Sequence, residues 1–240
     1  MIERRHKVVN RFYGVLKLHI ASPDSKARWV GFPWGILFTS FLVNIIISVM
    51  LGGNKAIYTG GLSSIFIYML IGCIVGVNST FPFALGLCIR RKDYFLGTAL
   101  VLFLLSLGDA IFLCLFSFIE SDLTDNWWSQ LHFLNLPFIS EGGWFAQFTI
   151  YFLMMLHFCF LGFAIASLNR RFGSAGVYGF SGLILLPGSI VGILANYYNW
   201  WEAIFNWLGQ QGALGITLWL IPLTVLYAFL SYGLLRKATI

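Results

Sequence analysis

Six stretches of mostly apolar residues divide this chain: Val30 to Leu51, Leu62 to about Asn78, Phe95 to Ile119, Trp144 to Leu168, Val177 to Tyr197 and Ala213 to Leu235. Each is close to the roughly 20 residues that carry a helix across a bilayer. The second is unusual. Its apolar character runs on past Asn78, Ser79, Thr80 and Pro82 to Ile89 before it meets Arg90, Arg91 and Lys92. That length exceeds one crossing, so the segment is expected either to tilt strongly or to bend near Pro82 and continue beyond the bilayer.

Ahead of the first stretch, Val8, Val9, Phe12, Val15, Leu16, His19 and Ile20 recur at helical spacing beside a stripe of Arg4, Lys7 and Arg11. This pattern predicts an amphipathic helix on the membrane surface, its apolar face in the acyl boundary, broken by Ser22, Pro23 and Asp24. The division is therefore a surface helix over 1–29 and a six-helix transmembrane domain over 30–240. Two connections are aromatic rather than plainly polar. Trp127, Trp128, Phe133, Phe138 and Trp144 mark one, and Tyr197, Tyr198, Trp200, Trp201, Phe205 and Trp207 the other. Aromatic rings with a polar tip collect where lipid meets water. Within the second, Trp200, Trp201, Ile204, Phe205 and Leu208 follow helical spacing, so Asn199 to Gly209 reads as a short interfacial or re-entrant helix of the outer leaflet.

The charges give the stretches a direction. Of 15 Lys and Arg residues all but Lys55 fall in four clusters: Arg4 to Arg28, Arg90 to Lys92, Arg170 with Arg171, and Arg236 with Lys237. The alternate connections carry Glu120, Asp122, Asp125, Glu141 and Glu202 instead. Lys and Arg in short loops stay cytoplasmic, so both ends of the chain are expected inside a multi-pass plasma-membrane protein. With 59% hydrophobic and 10% charged residues, a water-soluble fold is excluded. The net charge of +6 sits beside membrane segments, where lipid headgroups account for it, and nucleic-acid binding is not expected.

Chemistry is sparse. There is no phosphate-cradling G-x-x-x-x-G-K-[ST] and no H-E-x-x-H, and His6, His19, His132 and His157 are too scattered for a local metal motif. Cys73, Cys88, Cys114 and Cys159 form no C-x-x-C pair and read as packing residues. Gly179-Phe180-Ser181-Gly182 resembles the nucleophile motif of intramembrane rhomboid proteases, but no His follows Ser181 to act as its base. Asp109 and His157 lie near mid-span, where an ionisable group is expensive and faces protein or a wet cavity. Two readings of them stand: a polar site on a substrate path, or a structural pairing of Asp109 with His157 or with a Ser or Thr. Asn44 is a third residue of that kind. Gly72 with Gly76 and Gly188 with Gly192 have the small-x-x-x-small spacing of close helix packing, and the Gly-rich fifth span suggests an internal seam.

The basic surface helix, the six spans and the run Pro82-Phe83-Ala84-Leu85-Gly86-Leu87-Cys88-Ile89-Arg90-Arg91-Lys92-Asp93-Tyr94-Phe95-Leu96-Gly97-Thr98 together resemble the permease subunits of ABC-2-type ABC transporters. The ending Tyr232-Gly233-Leu234-Leu235-Arg236-Lys237 is similar to theirs as well. The resemblance implies a homo- or heterodimer of permeases, each held by a separate cytoplasmic ATPase that binds ATP and Mg, with no catalysis and no cofactor in this chain. It implies export of an amphipathic substrate such as a peptide, lipid or drug. It also implies that Arg90, Arg91, Lys92, Asp93 and Tyr94 couple to the ATPase, and that Trp200, Trp201 and Phe205 belong to a re-entrant outer helix. The competing class is a six-span ligand-binding subunit of an importer; an intramembrane serine protease is a third.

Overall fold

The computed structural model describes residues 14, 15, 17–19, 29, 31–50, 57–123, 131–136, 139 and 142–238. Almost all of them are helical. The helices are α1 (Phe32–Met50), α2 (Ser63–Gly86), α3 (Arg91–Phe118), α4 (Gly143–Tyr197), α5 (Trp200–Leu218) and α6 (Leu220–Arg236). Taken with their continuations, they make five helical runs long and apolar enough to cross a membrane, compatible with a multi-pass membrane protein.

Two glycines interrupt this count. Gly173 has φ 69° and ψ −170° inside α4, a conformation open in practice only to glycine, and it divides α4 into arms 143–172 and 174–197. The break falls directly after Arg170 and Arg171. Gly212, with φ 64° and ψ 165°, divides α5 in the same way. Asn199 in the left-handed region separates α4 from α5.

The core lies among α2, α3, α6 and the first arm of α4, with α4 central to the packing and α1 resting against α2. Met69, Cys73 and Val77 of α2 meet Tyr151, Met155, Cys159 and Phe163 of α4, all of them buried. The closest approach is at Gly162, where a Cβ would sit 2.5 Å from the Leu70 carbonyl oxygen and 2.9 Å from Cys73 Cβ. Sequence spacing pointed to other glycines. A Cβ on Gly72 would meet only Tyr68 of its own helix, Gly76 is filled by the Trp29 ring, and Gly188 and Gly192 face open space. The expected seam along 174–197 is therefore absent among the described residues, and those glycines sit on exposed faces.

Polar side chains inside the helices are largely satisfied by their own backbone. Thr39, Thr217, Thr224 and Ser231 each donate to the carbonyl four residues back, at 2.7–2.8 Å. Such back-bonding is how a hydroxyl tolerates an apolar solvent.

The bundle has a basic end. Arg91 Nη1 donates to the Arg236 carbonyl at 2.7 Å, so two of the four basic clusters meet there, and Arg170 Nη2 donates to the Asn78 carbonyl of α2. α2 runs through Pro82 and stops at Gly86, short of Ile89; a tight turn with Cys88 at φ 56° then leads to Arg90 and α3. The helical run past Asn78 is thus continuous through Pro82 to Gly86, and it ends in that turn, where Leu87, Cys88 and Ile89 bond back to Phe83, Leu85 and Ala84.

At the opposite end, Ile57–Tyr58 (β1) pairs in parallel with Leu131–His132 (β2), an element that the all-helical expectation lacked. Phe133 is 2% exposed and packs on Phe41 with ring centroids 5.3 Å apart, so it closes the bundle rather than marking an interface. Trp127, Trp128 and Phe138 lie outside the described residues.

Residues 14, 15 and 17–19, within the stretch whose spacing predicts a helix, are helical. Val15 fills the space over Gly97 of α3, and His19 Nε2 lies 3.1 Å from Thr98 Oγ1. Val15 and His19 of this segment thus pack against the start of α3. Arg4, Lys7 and Arg11 lie outside the described residues.

Candidate functional site

Asp109 is 6% exposed on α3 and is reached by α1. The Trp34 indole Nε1 donates to its Oδ1 at 3.1 Å, and its Oδ2 is buried with no hydrogen-bond partner among the described residues. The Trp34 ring is wedged between Phe112 and Phe116, each with its centroid 5.7 Å away. On its other side Trp34 lines an apolar groove of about 280 Å³ with Leu37, Phe38, Phe41, Phe116 and Phe133. A carboxylate held by one indole N–H beside an aromatic groove is a polar point in an apolar wall.

His157 has different partners. Its Nδ1 lies 3.3 Å from Thr224 Oγ1 of α6, and its ring tilts onto Tyr227 at 5.4 Å. The expected pairing of Asp109 with His157 or with a Ser or Thr is not found: Asp109 binds Trp34 and His157 binds a Thr. Asn44 donates to the Ser40 carbonyl within α1 at 2.8 Å and joins neither of them. It lines a second, open groove along α1 with Gly31, Gly35, Thr39 and Ser40. The three candidate path residues are thus three separate features.

The residues from Arg90 to Tyr94 divide by burial. Arg90 and Lys92 are exposed, Arg91 and Asp93 half-buried, and Tyr94 is fully buried. The Tyr94 ring packs edge-on against Phe81 at 5.2 Å and lies 6.1 Å from the His19 ring, while its hydroxyl shares a 2.7 Å hydrogen bond with Thr80. Tyr94 therefore offers no contact surface of its own. It fastens the basic turn to α2 and to the N-terminal segment.

Trp200, Trp201 and Phe205 are exposed on α5. Trp201 stacks on Phe205 at 6.0 Å and Trp200 on Tyr198 at 5.4 Å, so the aromatic face is organised within the segment itself. Ser181 Oγ donates to the Val177 carbonyl of its own helix at 2.9 Å.

Sequence reasoning missed the most thoroughly bonded carboxylate. Glu120 is 0% exposed in the π-helical turn Ile119–Leu123 that ends α3. It accepts the backbone N–H of Phe133, of Leu134 and of Asn135 at 2.9–3.2 Å. Successive amides converging on one anion form a nest. Below it, Tyr151 Oη donates to the Leu134 carbonyl at 2.8 Å and Gln147 Nε2 donates to Ser117 Oγ at 2.6 Å. In sequence Glu120 is one acidic residue among several in a connection, with no signal to separate it.

Among the described residues no three His, Cys, Asp or Glu side chains come together to hold a metal ion. Comparison with protein-family models, with curated proteins and with solved structures found no match to this chain.

Proposed function

We propose that this chain is the membrane-spanning permease subunit of an ABC-2-type exporter, which moves an amphipathic peptide, lipid or drug with energy from a separate ATPase subunit. Counting the two arms of α4 separately, and 213–236 as one crossing, gives the six spans of that reading. The meeting of basic clusters at one end of the bundle supports cytoplasmic placement of that end.

The observation that carries the reading is the arm 174–197. Its apolar side chains are exposed around the whole circumference, Leu183, Leu186 and Ile193 at 68–69%, and Ala195 is its one buried residue. Lipid alone would cover such a helix, but one with almost no partner in its own chain suits a second permease copy. α5, with Trp200, Trp201 and Phe205 outward, continues this unpartnered side as the re-entrant or interfacial helix.

The basic turn supports the coupling role. Arg90 and Lys92 project from it, while Tyr94, Thr80, His19 and Thr98 lock it to α2, to α3 and to the N-terminal segment. A push on the turn would reach three elements without slack. The ligand-binding alternative draws on one observation, the buried Asp109 beside the aromatic groove at Trp34.

The test is purification of the tagged chain from its native membranes in mild detergent. An ABC ATPase at roughly equal stoichiometry is the expected result, lost when Arg90→Glu and Lys92→Glu are combined and kept in Trp200→Ala. A chain that purifies with a retained small ligand and no ATPase overturns the permease reading in favour of the binding subunit.

A further inference from the structure

A cleft opens at the basic end between α3 and α6, separate from the Asp109 groove. Val225, Ala228, Phe229 and Tyr232 form its α6 wall, at the i, i+3, i+4, i+7 spacing of a single helix face. Phe95 and Leu96 form the α3 wall, and Lys92 stands one turn before them. The volume is about 460 Å³. Phe95 and Tyr232 touch at the end near Lys92, with centroids 5.2 Å apart, and give the cleft a floor. From Val225 to Tyr232 it runs ~10 Å along α6 at 1.5 Å per residue.

Charge gathers at the same end. The bond from Arg91 to the Arg236 carbonyl ties the start of α3 to the end of α6. The two segments it joins carry Arg90, Arg91, Lys92, Arg236 and Lys237 against the single acidic Asp93. An apolar cleft that ends in a concentration of cations is complementary to one molecular class, an acyl chain attached to an anionic phosphate. Basic recesses between helices at the cytoplasmic face of a bilayer hold lipid headgroups for this reason.

We infer that the α3–α6 cleft is a binding site for an anionic phospholipid of the cytoplasmic leaflet, with an acyl chain along Val225, Ala228 and Phe229 and the phosphate at Lys92. The inference rests on the membrane topology of the reading above and not on its ATPase. Bound lipid would brace the first turn of α3 against α6, next to the basic turn.

Native mass spectrometry of the purified chain in detergent tests this, with phosphatidylglycerol, phosphatidylcholine of the same acyl chains, and inorganic phosphate as separate additions. One phosphatidylglycerol per chain is expected to survive, in preference to phosphatidylcholine, and phosphate alone is not expected to displace it. Lys92→Ala is expected to weaken retention about fivefold, from the loss of one near-surface cation. Ala228→Trp, which fills the cleft and leaves every charge in place, is expected to abolish retention. Arg171→Glu, at the same end but outside the cleft, is expected to keep it. Equal retention of the two lipids, displacement by phosphate, unchanged retention in Lys92→Ala or Ala228→Trp, or an equal loss in Arg171→Glu overturns the assignment. These readings need no ATPase, so the lipid site and the permease reading fail separately.

Discussion

Trp34 and Asp109, 75 residues apart, are joined by a 3.1 Å hydrogen bond from the indole nitrogen to one carboxylate oxygen. It binds α1, a sparsely buried helix, to the centre of α3. Trp34→Phe keeps the ring contacts with Phe112 and Phe116 and deletes the donor, leaving both oxygens of a buried carboxylate without a partner among the described residues. Its expected cost is about 1–3 kcal/mol, read as a lower melting temperature in detergent. Asp109→Asn keeps an acceptor for the indole and is expected to melt near the wild type. A change in transport by Asp109→Asn with insertion unaltered assigns the charge a role beyond structure.

Glu120 offers a local test. Glu120→Ala leaves the amides of Phe133, Leu134 and Asn135 without their acceptor, and hydrogen bonds to charged groups are worth about 1.5–3 kcal/mol. Hydrogen exchange at those three amides is expected to accelerate by at least tenfold, while exchange in α2 stays slow. Unchanged protection of residues 133–135 would show that the nest does not depend on the carboxylate.

Gly162 sets the distance between α2 and α4. A methyl there would stand 2.5 Å from the Leu70 carbonyl oxygen, a backbone atom that moves only if the helices part. Gly162→Ala is expected to cost about 1–3 kcal/mol, in the range of overpacked cores. Gly188→Ala, with nothing within 4 Å, is expected to be neutral or slightly stabilising. Comparing the two melting temperatures separates packing from helix propensity.

At Gly173 the obstacle is conformation, since no atom lies within 4 Å of a Cβ. Gly173→Ala must adopt φ near 69°, a strain of about 1–3 kcal/mol, or straighten the break. The same replacement at Gly179, at ordinary helical dihedrals, should leave the melt unchanged. Equal melting of these two variants contradicts a strained turn at Gly173.

Helix positions were legible in the sequence because length and hydropathy act residue by residue; α1 starts and ends within two residues of the expected stretch. The breaks at Gly173 and Gly212 fall between stretches that the sequence already separates, 144–168 from 177–197 and 199–209 from 213–235. Contacts were less legible. The partner of Asp109 is a tryptophan 75 residues away, and His157 meets Thr224, one of many hydroxyls. The resemblance groups Tyr94 with the charged residues before it as a coupling residue, yet its ring is buried against Phe81. The β1–β2 pairing joins connections that follow different helices, and the Glu120 nest folds the α3–α4 connection back on its own start; no local pattern records either meeting. Glycine spacing was only partly informative, since Gly72 and Gly188 share the spacing of a packing motif without a close neighbour from another helix, whereas Gly162, outside any such pair, meets the Leu70 carbonyl.

The small parallel pairing has a mechanical consequence. β1 follows α1 and β2 follows α3, so two residues on each side, with Thr59 N donating to the His132 carbonyl at 3.2 Å, hem the α1–α2 connection to the α3–α4 connection. With Glu120 anchoring the same strand end, the rim over α1, α2 and α3 behaves as a sewn edge that yields only by tearing backbone bonds. The junction at Tyr198 and Asn199, between α4 and α5, lies outside the stitch. Any widening of this end on the α1–α3 side would have to break that pairing, whereas no backbone bond among the described residues ties the α4–α5 junction to it.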